Sequence, residues 1–142
     1  MDINEQWYKA FSVYGREFAK VFRSMDYKSL DEKTQLIGAL VKLEMDIYNG
    51  GFVQFYCNWG YVAVELAIEG LKKIKATTAE KLIQEAFDIV EKYGNEKIIT
   101  ELWDIPSLLS IDERERLNQI ETEYAEDVDE IERKMLDCFS ND

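Results

Sequence analysis

Apolar positions recur at intervals of three and four along nearly the whole chain, which is the spacing of one face of an α-helix. Trp7, Phe11, Tyr14, Phe18, Val21 and Phe22 make a first stripe, with Lys9, Arg16, Lys20 and Arg23 mostly off it. Gly15 interrupts this stripe at a cost of up to about 1 kcal/mol relative to Ala, so packing must hold the helix. A second helix starts near Ser29 or Asp31, either of which suits an N-cap, and runs through Leu36, Leu40, Leu43 and Ile47. It stops at Asn49-Gly50-Gly51, where glycine takes the left-handed conformation that ends helices. The piece 52–58 is short, apolar and aromatic, a pattern shared by strands and helical turns; with helical neighbours and no partner strand in view, it is read as helix. Residues 61–75 place Ala63, Leu66, Ala67, Leu71 and Ile74 on one side. Thr77 or Thr78 then caps a helix with Leu82, Ala86, Ile89, Val90 and Tyr93 inward and Gly94 as its stop. The pattern is less regular over 95–110, and Pro106 breaks any long helix there.

The last segment begins at Ser110 or Asp112 and shows Leu117, Ile120, Tyr124, Val128, Ile131, Met135 and Cys138 as one apolar seam. That seam fits a single long helix, or two helices with a break near Ala125-Glu126. One proline and seven glycines argue against an all-β protein, whose turns need more of both. The reading is all-α: a compact single domain over 1–142, built of five to seven helices and closed by an acidic C-terminal helical segment. At 142 residues the chain is long enough to bury a real core.

Charge changes this picture more than composition does. The net charge is −12, and residues 101–142 alone carry fourteen acids against four bases, whereas each of the two preceding stretches of fifty is nearly balanced. Such a surface repels phosphate, so direct nucleic-acid binding and docking on an anionic membrane are not expected. No apolar run approaches the roughly 20 residues of a membrane span, and the start shows no leader pattern. Cys57 and Cys138 do not form a disulfide framework and suit buried thiols in a reducing cytoplasm.

The chemistry on offer is narrow. With no histidine, the commonest general base and metal ligand is missing. No phosphate-binding loop is present, and Gly50-Gly51 lacks the rest of a dinucleotide fingerprint. Asp127, Asp129, Glu130 and Glu132 faintly resemble a calcium loop without its sharp-turn glycine. Carboxylates alone can run glycoside chemistry, but nothing in their spacing favours it. A non-enzymatic protein with no cofactor and no metal is expected.

Two features rise above this background. The first is the run Glu44, Asp46, Asn49, Gly50, Gly51, Phe52, Gln54, Phe55, Tyr56 and Asn58. A helix end, a glycine turn and an aromatic plug account for its centre without any function. Glu44, Asp46, Gln54 and Asn58 either line a small-ligand pocket or weak hydrolase site, or Gln54 and Asn58 bond the amides that a tight turn exposes. With Leu43 ahead of it, this E-x-D-x-x-N-G-G-F-x-Q-F-Y-x-N run resembles the signature of a bacterial family of small acidic all-helical domains named after a DNA-mimic protein. Most of its members have no assigned function. The resemblance covers roughly 29–139; Asp46 and Tyr48 stand where Glu and Asn are commoner, and Asn58-Trp59-Gly60 replaces a small polar turn. It implies an acidic binding protein, and a homodimer is compatible with it.

The second feature is a set of carboxylates: Glu121, Glu123, Glu126, Asp127, Asp129 and Glu130. On one continuous helix, Glu123, Asp127 and Glu130 sit about 5–6 Å from one another along one face, close to the interval of phosphates on a nucleic-acid strand. Arg114, Arg116, Arg133 and Lys134 offset part of that charge. A plain solvated face is one reading. The other, which the resemblance implies, is a DNA mimic engaging a basic protein partner such as a DNA-binding regulator, with Tyr124 as an apolar neighbour lending specificity. An immunity or antitoxin-like protein that neutralises a basic toxin is the alternative with the same face.

Overall fold

Helix α2 (Glu32–Gly50) buries Leu36, Ile37, Gly38, Ala39, Leu40, Val41, Leu43, Glu44 and Ile47, positions that run round most of its circumference. A helix apolar on so many sides belongs in the middle of a fold. It lies against α1 (Ile3–Phe22), α3 (Phe52–Trp59), α4 (Tyr61–Lys73) and α6 (Ile111–Ala125). Helix α5 (Thr77–Gly94) packs on α4 and α6, and α7 (Ile131–Phe139) packs on α1. The computed structural model describes residues 1–22, 27–94 and 102–140, and among these there are seven α-helices and no β-strand. Arg23 and the stretch 95–101 lie outside the described residues. Pro106 sits in a short 3₁₀ turn, Leu102–Ser107.

Phe18, Phe52, Phe55 and Phe139 are the largest fully buried side chains, drawn from α1, α3 and α7. Gly15, a liability in helix propensity, has a packing reason: a Cβ there would come within 2.7 Å of Val41 Cγ1. Across the same interface a Cβ on Gly38 would meet Phe18 at 2.5 Å. The two glycines let α1 and α2 approach more closely than any other residue would allow.

The helix ends explain several boundaries. Asp31 rather than Ser29 caps α2, its carboxylate accepting from the Thr34 amide at 2.7 Å. Ser110 rather than Asp112 caps α6, in a reciprocal capping box with Glu113. Neither Thr77 nor Thr78 acts as the cap expected for α5, because Thr77 already lies within the helix. The Ala79 amide is instead met at 2.7 Å by Asp129, fifty residues away. The turn glycines also divide their roles: Gly50 is helical, while Gly51 (φ +89°) and Gly60 (φ +86°) bracket α3 in a region that only glycine adopts comfortably.

The C-terminal seam is two helices. Helix α6 ends at Ala125, and Asp127 and Glu130 (φ +51° each) turn the chain into α7. Val128 therefore does not continue the seam but stands out in the connecting loop, 68% exposed. A single helix would have brought it inward; the left-handed residues on either side remove it.

Candidate functional site

The six C-terminal carboxylates do not form one row. With the helix broken after Ala125, Glu123 lies on α6 while Glu126, Asp127, Asp129 and Glu130 belong to the loop, so the helical i, i+4, i+7 ladder of Glu123, Asp127 and Glu130 is not made. Two of the six serve the fold. Glu121 accepts from the Phe52 amide at the start of α3 at 2.9 Å. Asp129 accepts from the Ala79 amide at the start of α5 and lies 3.8 Å from Lys134 Nζ. Each carboxylate meets the positive end of a helix that has no side-chain cap of its own. Burial pushes the Glu121 carboxyl up in pKa, against the Phe52 amide, which pulls it down. Asp127 does a third capping task, accepting from the Ile131 amide of α7 at 3.1 Å while its side chain stays exposed.

What remains at the surface is a shorter band of Glu123, Glu126, Asp127 and Glu130, all exposed. Glu123 lies 3.8 Å from Arg116. Arg116 itself forks onto Glu85 at 2.5 and 2.6 Å, Arg114 donates to the Pro106 carbonyl, and Lys134 donates to the Lys75 carbonyl. These cations are held elsewhere, and among the described residues no ion pair reaches Glu126, Asp127 or Glu130.

Tyr124 is not an exposed neighbour of this band. It is 2% exposed, and its hydroxyl donates to Glu44 Oε1 at 2.6 Å. Glu44 is the one buried charged-type side chain among the described residues. Burial raises its pKa to about 8 against the Tyr124 hydrogen bond, and the charges of Asp127 and Glu132 add to the rise. The exposed apolar groups at the band are Val128 and Tyr48; the Tyr48 ring lies 6.0 Å from that of Tyr124 and it is 55% exposed.

The N-G-G-F run is divided between two arrangements rather than gathered into one pocket. Glu44 faces Tyr124. Asp46 accepts instead from Gln54 at 3.4 Å, Asn58 at 3.2 Å and the Trp59 indole at 3.0 Å. Gln54 and Asn58 thus bond a side chain, not the turn amides. Those amides find other partners, Gly51 the Asp46 carbonyl and Phe52 the Glu121 carboxylate. Phe52, Phe55 and Tyr56 belong to the core, and Asn49 is exposed. Among the described residues no group of three His, Cys, Asp or Glu side chains is placed to hold a metal.

A family model described as DMP19-like protein matches residues 28–140, four-fifths of the chain. The chain belongs to the DMP19-like family. The matched range begins after α1 and so takes in the Asp46 cluster, both long-range helix caps and the exposed acidic loop. No curated protein and no solved structure matches the chain. Among the described residues no helix is long and apolar enough to cross a membrane.

The long-range caps are what reading the sequence missed. Phe52 and Glu121 are 69 positions apart, and Ala79 and Asp129 are 50 apart. A signal exists in retrospect: α3 and α5 both start without a satisfactory local cap while acids are in excess downstream.

Proposed function

We propose that this DMP19-like protein is a non-enzymatic binding protein that occupies the basic, nucleic-acid-binding surface of a protein partner. The observation that supports it is the surplus of carboxylates left after the fold has used its share. Glu121 and Asp129 are committed to helix ends, yet Glu123, Glu126, Asp127 and Glu130 still stand in solvent around a single short loop. Arginines and lysines of the partner would meet them in place of phosphate. A field of one sign speeds encounter, and the resulting complex weakens as salt rises. Carboxylates do not reproduce phosphate geometry, so selectivity falls to Val128 and Tyr48, the exposed apolar groups at the band.

Capture from an extract of the host, followed by competition with duplex DNA, tests this reading. The captured protein should itself bind DNA and be released by duplex or by salt. A captured protein with no affinity for DNA, retained in the presence of duplex, contradicts it; a nuclease inhibited on binding would shift the reading to an immunity-like role.

A further inference from the structure

A groove of about 870 Å³ runs between α4 and the C-terminal half of α5, apart from the acidic loop. This size falls within the range of small-molecule sites. Tyr56, Tyr61 and Phe87 supply aromatic surface, and Glu65, Glu69 and Glu91 supply exposed carboxylates. Glu65 and Glu69 are one helical turn apart on α4, so both face the same side. A cation on the wall, Lys72, lies 4.0 Å from Glu80 and leaves the groove with an excess of negative charge.

Acids beside a groove would carry little on their own. The second observation is Tyr56. This side chain is only 3% exposed, yet it lines the groove, and its hydroxyl makes no hydrogen bond to any described residue. Buried hydroxyls are nearly always partnered, so one that opens on a groove without a partner marks a place where a ligand atom or water belongs. Burial raises the Tyr56 pKa, and the charge of Glu91 raises it further, which places the Glu91 carboxylate close enough to act on the same point.

We propose that this groove binds an organic ammonium, a small ligand with an amine cation on an apolar body. The body rests on Tyr61 and Phe87, and the cation sits among Glu65, Glu69 and Glu91, within reach of the Tyr56 hydroxyl. Aromatic faces and carboxylates both favour a cation, and a concave wall of one sign concentrates it.

The test is an amide chemical-shift titration of the full chain with phenethylammonium, alongside phenylacetate and 2-phenylethanol as controls of equal body and different charge. Saturable shifts are expected at the amides around Tyr56, Glu65, Glu69 and Glu91 with the ammonium alone. Glu91→Gln should weaken them by about three- to fivefold, the scale of a half-exposed ion pair. Tyr56→Phe, which keeps the packing and removes only the hydroxyl, should also weaken them, with each variant's unfolding midpoint confirming its fold. Equal shifts with the neutral alcohol, shifts confined to the 126–130 loop, or affinity unchanged in Glu91→Gln would each overturn the proposal.

Discussion

The carboxylate of Glu121 lies where a side chain on Gly51 would be. Its oxygens stand 2.6 and 2.7 Å from the position a Cβ would take at that glycine, and the same carboxylate accepts from the neighbouring Phe52 amide at 2.9 Å. An acid on α6 and a bare backbone at the start of α3 are thus one device. It joins the C-terminal segment to the centre of the N-G-G-F run.

Gly51→Ala should therefore lower the unfolding free energy by about 2–4 kcal/mol, combining strain at φ +89° with displacement of the capping carboxylate. Gly50→Ala should cost under about 1 kcal/mol, since that residue is helical and exposed and the gain in helix propensity opposes its contact with the flexible Gln54 amide. Urea titration of both variants checks the contrast. Equal costs would mean that the turn is not held as described.

The two kinds of acid in the last third should separate by stability. Glu121→Gln and Asp129→Asn each weaken a charged cap at a helix start and should each cost about 1 kcal/mol. Glu126→Gln, in the exposed loop, should change stability by less than about 0.5 kcal/mol. Chemical denaturation at low salt measures all three.

Glu44 gives a pH signature. Its folded pKa, about 8, lies above its value in the unfolded chain, so the folded state holds a proton that the unfolded state releases. Its contribution is complete below about pH 4.5 and is lost as pH rises through about 8. Glu44→Gln keeps an oxygen to accept the Tyr124 hydroxyl and carries no charge. Thermal unfolding from pH 5 to pH 9 should show the wild type losing midpoint toward the alkaline end and the variant holding it more nearly level. Parallel curves would contradict the assignment.

Much of the architecture was legible in the chain, for a local reason. The stripes through Trp7, Leu36, Ala63, Leu82 and Leu117 are set within single helices, and the stops at Gly51, Gly60 and Gly94 lie near the observed helix ends. The break after Ala125 was harder to read, because Asp127 and Glu130 take the left-handed turn without a glycine to announce it and Val128 happens to fall on the seam. The site was harder still. Which acids cap α3 and α5, and which remain in solvent, depends on contacts 50 and 69 positions apart that no spacing encodes. Asp46 as the acceptor for Gln54, Asn58 and Trp59 needed the geometry of α3 against the end of α2.

The central claim is that Glu123, Glu126 and Glu130 contact a basic partner while contributing little to the fold. The most direct measurement is the affinity of the captured partner, as a function of salt, for the wild type and for Glu123→Lys, Glu126→Lys and Glu130→Lys combined. The account predicts loss of binding in the triple variant with its helical signal retained and its melting point nearly unchanged. Undiminished, equally salt-sensitive binding by a folded triple variant would contradict it.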